Sequence, residues 1–136
     1  MLEAYSTNQT ILTSGILPFN STSVAKGCTA TLNGVSTIEL NKAGVYEVVL
    51  NVSGLPSEAG NITINLMKDN VLQSGNNINI PTVVTTQGVS ANMTALIKVT
   101  TNNSCKCNSS PVSLQFINSG VGLTSANLNV VVTKLC

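Results

Sequence analysis

Residues 45–52 read Val45-Tyr46-Glu47-Val48-Val49-Leu50-Asn51-Val52. Tyr46, Val48, Leu50 and Val52 recur at every second position and make one face of an extended strand, while Val45 and Val49 stand on the other. A strand with one dry and one wet face suits an antiparallel sheet laid over a core. A strand that is apolar on both faces needs cover on both.

The same double character returns twice. In 91–99, Ala91, Met93, Ala95, Ile97 and Val99 share a face and Leu96 opposes them. In 126–135, Leu128, Val130 and Val132 are opposed by Val131 and Leu135. Other stretches alternate more simply. Ile62, Ile64 and Leu66 oppose Asn61, Thr63 and Asn65; Val112, Leu114 and Phe116 oppose Ser113, Gln115 and Ile117; Ile38 and Leu40 alternate with Thr37 and Glu39. These simpler strands read as one sheet and the two-faced strands as a second.

Helical periodicity is absent and strand-like alternation runs throughout. The spacing predicts strands over 3–6, 15–19, 22–25, 29–33, 35–40, 44–54, 60–68, 71–79, 88–100, 111–119 and 126–135. Asn33-Gly34, Lys42-Ala43-Gly44, Gly54-Leu55-Pro56-Ser57, Ser74-Gly75-Asn76-Asn77 and Asn118-Ser119-Gly120 mark turns between them. No internal repeat and no linker of changed composition interrupts the 136 residues. The expectation is one all-β domain over 1–136, a two-sheet antiparallel β-sandwich or jelly roll. A sandwich has one interior, so the sheet that is apolar on both sides needs a second cover. With no helix to supply it, another copy of the chain does so. Val45, Val49, Leu96 and Val131 are the expected interface residues between copies.

Charged residues make up 8% of the chain, with six Lys, no Arg, no His and five carboxylates. Ordinary soluble domains carry about 25%. Asn, Thr and Ser, at 18, 16 and 15 residues, fill more than a third of the chain and keep a surface wet without charge. No basic patch suits nucleic acid. The missing His removes triad hydrolysis, a His general base and His-ligated zinc. Glu3, Glu39, Glu47, Glu58 and Asp69 fall on separate elements, so nothing in the sequence pairs two carboxylates for catalysis or gathers an acidic loop for calcium. No enzyme activity, cofactor or metal is expected. No apolar run reaches the ~20 residues of a spanning helix. The start, Met1 to Ser6, has neither the basic nor the apolar region of a signal peptide. Seven Asn-x-Ser/Thr triplets, at Asn8, Asn20, Asn51, Asn61, Asn92, Asn102 and Asn108, are accounted for by the abundance of these residues.

Several motifs resemble a known family. Val35 to Leu50, with Gly44-Val45-Tyr46 opening a strand, is similar to the Gly-Val-Tyr signature of complement globular heads and tumour-necrosis-factor-like jelly rolls. Ile62 to Leu72, turning through Lys68-Asp69-Asn70-Val71, resembles the hairpin that follows. Val112 to Phe116 and Leu128 to Thr133 resemble the last two strands, and Ala4-Tyr5-Ser6 the first. The resemblance implies a ten-stranded jelly roll assembling as a homotrimer. The Asn/Thr/Ser-rich composition, the Ala4-Tyr5-Ser6-Thr7 opening and the Val131-Val132-Thr133-Lys134-Leu135-Cys136 close are similar to phage capsid decoration or head-fibre proteins. They are similar also to surface-filament domains of spore-forming bacteria. The implied partners are a second and third copy and a major capsid protein. The implied place is the virion exterior; the alternative is a trimeric adhesion module on a bacterial cell or spore surface, or a phage receptor-binding domain. The sequence departs from the family in having only Tyr5, Phe19, Tyr46 and Phe116 as aromatics, and it has no Gly-X-Y stalk.

Cys28, Cys105, Cys107 and Cys136 complete the inventory. Cys105 and Cys107 are too close in extended chain for an unstrained mutual bridge. In the implied layout strands 88–100 and 126–135 run the same way, so the loop 101–110 and Cys136 lie at one end. Two readings stand: Cys28 and Cys136 each bridge to one of Cys105 and Cys107, or all four remain thiols. The loop 101–110 is polar and reads first as a solvated loop pinned by sulfur, the alternative being a contact with a capsid lattice or a ligand.

Overall fold

A computed structural model describes residues 1–27, 29–100 and 111–135. They form ten strands: β1 (Leu2–Ile11), β2 (Ser21–Ala25), β3 (Ala30–Asn33), β4 (Thr37–Leu40), β5 (Gly44–Pro56), β6 (Gly60–Lys68), β7 (Val71–Val83), β8 (Val89–Val99), β9 (Val112–Asn118) and β10 (Leu123–Lys134). They make two five-stranded antiparallel sheets, ordered β2-β1-β10-β5-β8 and β3-β4-β9-β6-β7. The fold is an all-β jelly-roll sandwich. The two kinds of strand separate as their side-chain patterns require. The three two-faced strands β5, β8 and β10 are neighbours in the first sheet, and β4, β6 and β9 are neighbours in the second.

One core lies between the sheets. Tyr46, Val48, Leu50 and Val52 of β5 meet Ile62, Ile64 and Leu66 of β6 and Leu114 and Phe116 of β9 within a single buried cluster. Phe19 and Phe116 pack edge-to-face with centroids 6.1 Å apart, a favoured aromatic geometry. The buried Tyr46 hydroxyl lies 2.8 Å from the Lys42 carbonyl and 3.2 Å from that of Thr29. That bond keeps a phenol in a dry core compatible with folding. Three of the four aromatics are therefore wholly buried, and a core with few rings is filled by Ile, Leu and Val.

Three expectations are corrected. Ser74-Gly75-Asn76-Asn77 does not turn between strands but lies within β7, where Gly75 at φ 84° accompanies a register shift against β6. Residues 15–19 do not form a strand; only Ile16 bridges to Ile117. Leu17 and Phe19 alternate because both plug the open side of the core, and both are fully buried. Pro18 lacks an N–H, which prevents a continuous ladder through this segment. The first strand, expected over 3–6, runs to Ile11. Its pairing with β10 is shifted between Ser6 and Gln9, where Asn8 takes φ 54°. That bulge breaks the alternation by which the strand would be recognised.

The close of β9 is held by a buried amide. Asn118 is fully buried; its Oδ1 accepts from Gly120 N–H at 3.1 Å and its Nδ2 donates to Val121 O at 2.9 Å and Leu12 O at 3.4 Å. The turn beyond it passes so near β6 that a Cβ on Gly120 would lie 2.3 Å from Asn61 O and 2.5 Å from Thr63 N. Only glycine fits there.

Candidate self-association face

The outer face of the β2-β1-β10-β5-β8 sheet is set by its register. Val131 of β10 lies directly opposite Val49 of β5, with Glu3 of β1 on one side and Thr94 of β8 on the other. The next row is Thr133, Glu47 and Leu96, and the row after it pairs Val45 with Lys98. All four residues expected to cover a neighbour thus share one face and one end of it. Val45, Val49 and Val131 are half-buried in the single chain. Leu96 is 63% exposed. Val49 and Val131 share one row, Leu96 stands beside Glu47 and Thr133 in the next, and Val45 beside Lys98 in the third; apolar side chains grouped in this way form the kind of patch that association covers, with Glu47 and Lys98 among them.

Toward the other end the face turns polar. Its next row is Tyr5, Asn129, Asn51 and Asn92, followed by Asn127, Ser53 and Ser90. Two bulges lie beside this end. One is in β1 between Ser6 and Gln9, and the other is in β10 between Thr124 and Asn127, with Ser125 at φ 50°. A recess of about 360 Å³ opens there, lined by Tyr5, Asn51, Ser53, Ser90, Asn127 and Asn129 among others. Sequence reading misses it, because its walls depend on where the bulges fall. The one visible signal is the run of outward Asn and Ser at alternate positions.

The charges on the face are few. Glu3 accepts a hydrogen bond from Ser23 Oγ and another from Asn129 Nδ2 at 3.4 Å. The Ser23 bond first, then the Asn129 bond, holds its carboxyl below the ordinary carboxylate range. The remaining carboxylates stay scattered. Glu39 accepts from Asn33 Nδ2 on the second sheet, and Asp69 accepts from Ser113 N in the β6–β7 turn. Among the described residues no three metal-ligating side chains converge. Cys28, Cys105, Cys107, Cys136 and the loop 101–110 lie outside the described residues.

No protein-family model and no curated protein sequence matches the chain. Solved structures do. PRD1 vertex protein P5 is similar with a TM-score of 0.67 at 16% identity, covering 99% of this chain and 96% of its own. Eiger TNF from S. frugiperda is similar at 0.65 and 14%, covering 99% and 92%. Rabbit GITRL is similar at 0.56 and 9%, covering 98% and 94%. At these identities the likeness shows the fold, a TNF-like jelly roll spanning nearly the whole chain.

Proposed function

We propose that this protein is a non-enzymatic structural component of a phage virion: a homotrimer on the capsid exterior, joined through the outer face of the β2-β1-β10-β5-β8 sheet and docked at one pole on the major capsid protein. The observation that carries the reading is the group of outward Val45, Val49, Leu96 and Val131 on a sheet face that no other element among the described residues covers. The likeness to PRD1 vertex protein P5 over 99% of the chain supports a place on a virion.

The mechanism is geometric. Burying each apolar side chain of the patch against a neighbour contributes about 1.5–3 kcal/mol when burial is complete, and less for residues already half-covered. Repeated around a closed ring, these contacts make a rigid knob with an uncharged, Asn-rich exterior. A knob that binds only the assembled shell stabilises that shell by mass action.

A trimeric adhesion module on a cell, spore or virion surface is the second reading. The polar recess beside Tyr5 favours it. Purified particles from a producing culture separate a virion component from a cell- or spore-surface module. Stoichiometric copies on the particle support the virion role, and particles without the protein refute it.

A further inference from the structure

We propose that the recess at the polar end of the β2-β1-β10-β5-β8 sheet binds a neutral, polyhydroxylated ligand, a sugar ring, with Tyr5 as the stacking surface and Asn51, Ser53 and Ser90 as its hydrogen-bonding groups. The chemistry of the lining carries the inference. The rim offers one aromatic ring, three amides and hydroxyl groups, and no charged side chain belongs to it. A sugar ring needs that set: an apolar surface for its C–H face, and neutral donors and acceptors around its edge.

The groups are also prearranged. Asn127 is held by accepting from Asn8 N–H at 3.2 Å through Oδ1, which leaves its Nδ2 donors unengaged. Asn129 donates to Glu3, which leaves its Oδ1 as an acceptor. The side chains of Tyr5, Asn51, Ser53 and Ser90 have no hydrogen-bond partner among the described residues. The two bulges that frame the recess hold Asn8 and Ser125 at positive φ, a conformation that ordinary strand pairing does not call for.

The recess stays open when copies associate. Ser53 and Asn51 stand at one end of the outward row of β5, and Val49, Glu47 and Val45 continue it toward the other. From Asn51 to Val49 is two residues, roughly 7 Å along the strand, and to Val45 six residues, roughly 20 Å. Covering the unengaged amides and hydroxyls with a dry surface strips away their water and returns no hydrogen-bond partner, which is unfavourable. Covering the valine end is favourable. Association therefore closes the apolar end and leaves the polar end in water. This placement rests on the proposed interface; the lining chemistry does not.

The test is ligand-observed NMR and calorimetry of the full chain with glucose and with N-acetylglucosamine, and sedimentation of the same samples. A shallow, open site predicts dissociation constants of about 1 mM. Tyr5→Ala and Asn51→Ala weaken binding by about fivefold or more, as expected for loss of a stacking face or of one hydrogen bond. Asn77→Ala, on the opposite sheet, leaves it unchanged. No binding at tens of millimolar, or binding that Tyr5→Ala and Asn51→Ala both leave intact, overturns the inference. A trimer that binds neither sugar refutes the recess and spares the interface. A monomer whose binding depends on Tyr5 and Asn51 supports the recess and refutes the interface.

Discussion

Replacing Asn118 by alanine removes the buried amide that ties the end of β9 to its turn. Gly120 N–H loses its acceptor and Val121 C=O loses its donor, whereas Leu12 C=O keeps the bond from Gly15 N–H at 2.9 Å. Two orphaned backbone groups at about 1–3 kcal/mol each place the loss near 2–6 kcal/mol. That is a large part of the ~5–15 kcal/mol that stabilises a typical domain. With a urea slope of about 2 kcal/mol/M, the midpoint falls by about 1–3 M at fixed protein concentration. Asn118→Asp sharpens the test. Protonated, an aspartic acid donates to Val121 O and accepts from Gly120 N–H; ionised, it only accepts, and it carries a buried charge. Its pKa in the fold is therefore raised above the ~3.9 of the unfolded chain. As pH rises through that window the unfolded state releases its proton first, so stability falls by up to about 1.4 kcal/mol per pH unit until the folded group ionises. Wild-type protein lacks this decline. An alanine variant within about 0.5 kcal/mol of wild type, or an aspartate variant parallel to wild type across pH, refutes the reasoning.

Val49→Lys and Val131→Lys each place an ammonium group in the proposed interface and abolish association, whereas Asn65→Lys on the other sheet does not; equal sedimentation of all three would discredit the assigned face. Gly120→Ala drives a methyl into Asn61 O and Thr63 N, and thermal unfolding should register a loss of at least ~1–3 kcal/mol. Tyr46→Phe leaves the Lys42 carbonyl without its buried donor, whereas Thr29 C=O keeps Asn41 N–H at 2.9 Å, for about 1 kcal/mol and a fall of roughly 3–5 °C in Tm. The depressed pKa of Glu3 contributes stability at neutral pH that is lost as pH falls through the folded pKa; NMR titration of its carboxyl carbon should show an upward shift in Ser23→Ala, and no change there would remove Ser23 as the cause.

Much of the architecture follows from period-two patterning. Ile62, Ile64 and Leu66 declare a half-wet strand, and Val45 and Val49 behind Tyr46 and Val48 declare a strand covered twice; the two kinds fall into different sheets. The pattern fails where the backbone departs from a regular ladder. Thr7, Asn8 and Gln9 read as loop because a bulge displaces their facing. Leu17 and Phe19 read as strand because irregular chain that plugs a core shows the same alternation. Asn118 reads as a turn residue before Ser119-Gly120, and nothing local reveals that its amide is enclosed. The outward facing of Val45, Val49, Leu96 and Val131, the residues of the proposed interface, is legible from their alternation. The recess is not, since bringing Tyr5, Asn51 and Asn127 around one hollow requires the register of three strands and two bulges.

Sedimentation equilibrium of the purified chain at micromolar concentration tests the central claim most directly. Covering the valine face with sister copies predicts a single species of three times 14.1 kDa. A species of 14.1 kDa, with Val45, Val49, Leu96 and Val131 left facing water, would contradict it.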